Sequence, residues 1–319
     1  MRRSAVNPPN RTNQISRRQF IKFTAAATAL TLIKPTVLLA EGPAKDTDPL
    51  KSEKLPGLLK DIKGTDAEKV KQLFELLKDK LKTVKSKYDD RPPRTVDETI
   101  AKGGDCTEFA LIVLASLKHL KLEGGATVVH LKDAPENMDH MVAYASIYGN
   151  RIHIDPQAEK LNVIGDGKEY DKVADLNMEE AKSMYYRELG NHYFMKNKYD
   201  KAIKAFEDSL IFYEKDAYVH HKLGYLYQEK GKKSDDIEHK KKAYCHNKRS
   251  SELAPENEKY KKNAAMAGFN YEVKLGEKSF NEGEYPEAKT HFENAIKLGE
   301  GYVPKEHIEV IKSYIKQCD

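Results

Sequence analysis

Apolar residues first fall into helical register after Thr65. Val70, Leu73, Phe74, Leu77, Leu81 and Val84 recur at intervals of three and four, the period that lines one face of an α-helix. Thr65 and Glu68 stand in the order of a capping box, in which each side chain satisfies a backbone N–H that the first helical turn leaves open. The pattern predicts one amphipathic helix over 66–87. Arg91-Pro92-Pro93-Arg94 breaks it, because proline lacks an N–H and pushes the preceding residue out of helical backbone. Thr95 and Glu98 repeat the capping order for a short helix, and Gly103-Gly104-Asp105 interrupts the chain again. From Cys106 to about residue 122 the apolar residues no longer keep to one side: Phe109, Leu111, Ile112, Val113, Leu114, Leu117 and Leu120 surround the axis. A helix starting at Cys106 and buried on most sides is expected.

Beyond Gly124-Gly125 the pattern changes to short β-branched runs at 126–131, 141–148 and 151–155, and Gly149-Asn150 separates the last two as a hairpin would. Strand side chains alternate, so Ile152 and Ile154 are expected to face the core while Arg151, His153 and Asp155 share the other face. Helices first and an antiparallel sheet second make an α+β domain over 59–165. Residues 41–58 hold Pro, Gly, Lys and Asp without apolar periodicity and read as a linker.

The last part of the chain repeats itself. Tyr186, Leu189-Gly190, Tyr193, Ala202 and Phe206 form one unit. His220, Leu223-Gly224 and Tyr227 recur 34 positions later, and that unit closes with Ala243 and Ala254-Pro255 after about seven inserted residues around 230–238. Leu275-Gly276, Ser279, Ala288, Phe292 and Ala295 make a third. The series resembles tetratricopeptide (TPR) repeats, with Tyr in the place of the usual Trp. The resemblance implies an all-α superhelix over 175–319: three repeats at about 183–302, then a capping helix at 304–318 striped by Ile308, Ile311 and Ile315. It also implies a groove that takes a protein or peptide partner.

Composition sharpens this picture. The chain has 319 residues, 33% of them charged and 39% apolar, with a mean hydropathy of −0.73. It is too long for one ordinary core and polar enough to suit an elongated repeat. The net charge of +5 comes from residues 1–40, which hold seven basic side chains and no acidic one; the remainder carries 48 Lys and Arg against 50 Asp and Glu. Nucleic-acid binding through bulk charge therefore loses its support. Within the basic segment, Ser16-Arg17-Arg18-Gln19-Phe20-Ile21-Lys22 precedes an uncharged run over 23–33, too short to span a bilayer as a permanent anchor. This resembles a twin-arginine (Tat) signal peptide, here 1–40, and implies export in the folded state to the periplasm or another extracytoplasmic space.

Three residues could carry chemistry. Cys106 opens a buried helix, where the positive end of the helix dipole favours thiolate. His140 opens a strand and Asp155 ends the next one. A hairpin turn at Tyr148-Gly149 brings Asp155 opposite Val142 and close to His140; a turn at Gly149-Asn150 keeps the two on one face but farther apart. Taken singly, Cys106 also suits a small buried apolar role, Asp155 before Pro156 a turn, and His153 and His130 are rival bases. The run Gly104-Asp105-Cys106-Thr107-Glu108-Phe109-Ala110, followed by His140 and Ile154-Asp155-Pro156, resembles the transglutaminase-like cysteine enzyme superfamily over about 66–160.

That resemblance implies a papain/transglutaminase-like fold in which Cys106 is the nucleophile, His140 the general base and then acid, and Asp155 the residue that orients His140. Peptidase, amidase and acyl-transferase chemistry all fit it. The chain departs from the family in having Val142 where an aromatic is common, and in having no Trp. The alternative is a non-catalytic TPR scaffold. No cofactor or metal is expected: Asp166-Gly167-Lys168-Glu169 lacks the alternating acidic ligands of a calcium loop and reads as a surface turn. Three cysteines make no disulfide framework, and any disulfide is expected to join Cys245 to Cys318 and leave Cys106 free.

Overall fold

Leu50, Leu55 and Leu59 lie in the same buried core as the helix after Thr65, so residues 48–58 of the segment read as a linker are part of a folded unit. In a computed structural model of the protein the described residues are 48–82, 91–131, 139–162 and 170–319. The signal segment, the end of the first expected helix and the turn at 166–169 lie outside them. The described chain divides into two compact units, 48–219 and 220–319.

The N-terminal unit begins with α1 (Leu55–Leu59). Asp97 holds this segment in place: its carboxylate accepts from the Ser52 hydroxyl, from the Glu53 N–H at 3.0 Å and from the Lys54 N–H at 3.2 Å. Both expected capping boxes form, starting α2 (Asp66–Lys80) at Thr65 and α3 (Val96–Lys102) at Thr95. α2 ends earlier than the periodicity suggests, because Leu81 is already extended and only closes the last turn with its N–H. α4 (Cys106–His119) buries every residue from Thr107 to Leu117, as its all-round apolar pattern requires.

The sheet has four antiparallel strands in the order β3-β2-β1-β4: β1 (Gly124–Leu131), β2 (Asp139–Ile147), β3 (Asn150–Ile154) and β4 (Tyr170–Asn177). The sequence does not predict β4: only four of its eight residues are apolar, and they do not keep a strict alternation. The β2–β3 hairpin turns at Tyr148-Gly149, with Ile147 paired to Asn150. Both turn residues have positive φ, 51° and 79°, the type I′ geometry that matches strand twist. Met141, Ala143, Ala145 and Ile154 face the core shared with α4.

Two further helices complete this unit, α5 (Lys182–Met195) and α6 (Tyr199–Phe212). Met184, Tyr185 and Tyr186 are buried in the core that holds α4 and the sheet. The first helical pair therefore belongs with the sheet and not with the later helices, and the division falls at 219 instead of near 165–175. α5 and α6 approach closely at Gly190, where an added Cβ would lie 2.5 Å from the Phe206 ring.

α7 (Ala217–Ser234) leads into the C-terminal unit, which holds α8 (Ile237–Leu253), α9 (Glu258–Glu282), α10 (Tyr285–Gly299) and α11 (Lys305–Cys318). The inserted residues lengthen α7 and α8 to 18 and 17 residues, against 14 each for α5 and α6. Gly276 meets Phe292 as Gly190 meets Phe206, while Gly224 meets Asn247, seven positions later than that spacing. Phe269, Val273, Phe292 and Ile311 form one core of the unit. His220 and His246 are buried in the same unit with their Nδ1 atoms 3.0 Å apart.

Candidate active site

Cys106 is the first residue of α4, and three groups fix where that helix starts. Gly103, at φ 79°, reverses the chain after α3 in backbone that favours glycine. Gly104 then passes so close to α4 that a Cβ would lie 2.7 Å from Glu108 Oε2. Asp105 caps the helix, its carboxylate accepting from the Glu108 N–H at 3.3 Å while its own N–H donates to Glu108 Oε2 at 3.0 Å. Arg94 Nη1 donates to the carbonyls of Gly103 at 2.5 Å and Lys102 at 3.1 Å, bracing the same turn.

Glu108 is only 1% exposed, so its charge needs a partner. Arg91 supplies it through both Nη atoms, Nη2 at 2.7 Å, and the Arg94 N–H donates at 2.6 Å. Sequence reading treated Arg91-Pro92-Pro93-Arg94 as a helix breaker and gave Glu108 no role. Asp105 and Glu108 stand in the order of a capping box, which is a local signal; the pairing of Glu108 with Arg91, 17 positions upstream, has none.

His140 is the second residue of β2, and Asp155 directly follows β3. The observed register continues one step from Ala143–Ile154 to place Asp155 opposite Val142, on the face that carries His140. His140 Nε2 lies 3.0 Å from Asp155 Oδ2. Asp155 is buried, and its other oxygen, Oδ1, accepts from the Gln157 N–H at 2.9 Å. The turn role and the contact with His140 are thus both filled, by different oxygens of one carboxylate.

His140 is also hydrogen-bonded to the Cys106 side chain, so the chain brings Cys106, His140 and Asp155 together. Burial alone would lower the imidazole pKa. Hydrogen bonds to Asp155 and Cys106, and their negative charge, outweigh it and push it up to about 10. With Nε2 engaged by Asp155, Nδ1 is the nitrogen left for the sulfur. The rival histidines point elsewhere. His153 lies edge-on to Tyr144 with Nε2 3.5 Å from Thr127 Oγ1, and burial lowers its pKa. His130 Nδ1 lies 3.0 Å from Asp139. Cys106, Cys245 and Cys318 are all free thiols.

Among the described residues no group of three or more His, Cys, Asp or Glu is placed to hold a metal ion, and no helix is long and apolar enough to cross a membrane. No curated protein matches the chain. Among solved structures, a chain described as "Crystal structure of menin reveals the binding site for Mixed Lineage Leukemia (MLL) protein" is 14% identical, with a TM-score of 0.38 over 83% of this chain. The present chain covers 63% of that menin chain. A likeness at that score assigns neither fold nor activity. Residues 14–33 match the TAT (twin-arginine translocation) pathway signal sequence. The protein is exported by the Tat route, to the periplasm or extracytoplasmic space.

Proposed function

We propose that the exported protein is a transglutaminase-like cysteine enzyme that transfers acyl groups from protein or peptide carboxamides, with a TPR array for its partner or substrate. The observation that carries the reading is His140 held between Asp155 at 3.0 Å and Cys106 at the start of α4. An imidazole held between an acid and a cysteine is placed to take the thiol proton and to give it back.

In the proposed reaction the Cys106 thiolate attacks the carbonyl carbon, and the C=O electron pair moves onto oxygen. The Cys106 backbone N–H, open at the first helical turn, is a candidate donor to that oxyanion. Collapse of the intermediate breaks the C–N bond as the His140 imidazolium gives its proton to the leaving amine, leaving a thioester on Cys106. Water or a second amine then attacks the thioester and loses a proton to His140, and the thiolate departs. Asp155 keeps the imidazole oriented and offsets its positive charge. Water as acceptor makes a peptidase or amidase; an amine makes a cross-link.

The TPR reading is supported by the close approach at Gly190–Phe206, repeated at Gly276–Phe292. The deciding experiment labels the mature protein with an electrophilic peptide amide. Label is expected on Cys106, absent from Cys106→Ala, and slowed by about 10²- to 10⁴-fold in His140→Ala. Equal labelling rates for wild type and His140→Ala across about pH 6 to 8 would refute the assignment of the base. Failure to trap any acyl-enzyme, together with indifference to both His140→Ala and His153→Ala, leaves the non-catalytic scaffold.

A further inference from the structure

Cys106 and His140 both sit at the ends of their elements. Cys106 is the first residue of α4, and His140 is the second described residue of β2, where the pairing of Asp139 with His130 is the last of the β1–β2 ladder among the described residues. Element ends fray, because their backbone hydrogen-bond ladders stop there. A thiolate–imidazolium pair tolerates little displacement, so something beyond those ladders has to set the separation.

A residue of α5 reaches the start of β2. Arg187 is buried, and its Nη2 donates to Asp139 Oδ2 at 2.6 Å, one residue before His140. Its Nη1 lies 3.5 Å from Asp216 Oδ2, and its guanidinium stacks 4.4 Å above the Tyr218 ring, so the donor is itself held from a second direction. The other oxygen of Asp139 is engaged by His130 at 3.0 Å.

We propose that α5 is the clamp that sets where His140 stands: Arg187 acts on His140 through Asp139. Arg187 is a positioning residue, and the inference rests on the cysteine-enzyme reading. The first helix of the repeat segment thereby becomes part of the catalytic unit.

The test is the pH profile of Cys106 alkylation by iodoacetamide in the mature full-length protein, read by peptide mass, with thermal midpoints measured in parallel. A paired thiolate reacts at a nearly constant rate from about pH 5 to 8, whereas an ordinary thiol gains about tenfold per unit up to its pKa near 8.5. Arg187→Met is expected to slow alkylation at about pH 6 at least tenfold and to give the sloping profile. Asp139→Asn should change it in the same direction, by threefold or more. The conservative Arg187→Lys should recover to within about threefold of wild type. Folded variants with a wild-type profile overturn the clamp, as does a lowered midpoint without a change of profile. If Arg187→Met does not fold, Asp139→Asn decides alone, since it keeps an oxygen beside Arg187 and perturbs the fold less. A sloping profile in the wild type overturns the enzyme reading and this inference with it; a flat wild-type profile, unchanged in the variants, overturns the clamp alone.

Discussion

Removing the charge of Glu108 is the most direct way to ask what holds Cys106 in place. Its carboxylate accepts from two Arg91 nitrogens, the Arg94 N–H at 2.6 Å and the Asp105 N–H at 3.0 Å, in a site from which water is almost excluded. Glu108→Gln leaves the Arg91 guanidinium, only 17% exposed, beside a group that turns an N–H₂ toward it. Breaking a buried pair by removing one partner costs about 3–5 kcal/mol, because the remaining charge stays desolvated. In a unit of this size 3 kcal/mol lowers the thermal midpoint by about 6–12 °C. Arg91→Met should cost a similar amount, and the double variant Arg91→Met/Glu108→Leu about 2 kcal/mol less than the sum, since neither charge is then left alone. Urea unfolding of the four proteins closes the cycle. Single costs below about 1 kcal/mol, or strict additivity, would show that the pair does not anchor the start of α4. The double variant should also slow Cys106 alkylation, because Glu108→Leu removes the oxygen that accepts the Asp105 N–H.

Acid should destabilise the C-terminal unit through His246, whose pKa is held down to about 3, first by burial and then by the charge of His220 and Lys242. The unfolded chain binds the extra proton between about pH 6.5 and 3, so stability falls as pH falls through that window, by about 1.4 kcal/mol per unit. The difference between wild type and His246→Asn in urea titrations should shrink accordingly below pH 6.5, and a constant difference would contradict it. Gly190→Ala places a methyl 2.5 Å from the Phe206 ring, and overpacking of about 1–3 kcal/mol should exceed the gain in helix propensity of about 1 kcal/mol. A thermal midpoint raised by that substitution would show the two helices free to separate. Replacing Arg17 and Arg18 by Lys should leave precursor in the cytoplasm, as fractionation would show; unchanged export would refute dependence on the pair.

What was legible in the sequence was local. The capping boxes at Thr65 and Thr95 involve residues three apart, so their helices start where the sequence places them. The Tat signal is a contiguous string, and α4 begins at Cys106 because Gly103, Gly104 and Asp105 break and cap the chain within three residues. What the tertiary structure decided was everything that depends on distant partners. Two hairpin registers were open to the sequence; the positive φ of Tyr148 and the pairing of Ala143 with Ile154 select the one that brings His140 to Asp155. Leu81 keeps the apolar period of α2 but leaves the helix, and β4 forms from a run without clear alternation because β1 offers it a ladder. The partner of Glu108 lies 17 positions upstream, and those of Arg187 lie 48 upstream and 29 downstream. The break at 219 follows from Met184, Tyr185 and Tyr186 filling the core of the sheet, although their sequence reads as the start of a repeat. Periodicity reports which face of an element is apolar; which other face covers it is settled only when the chain closes on itself.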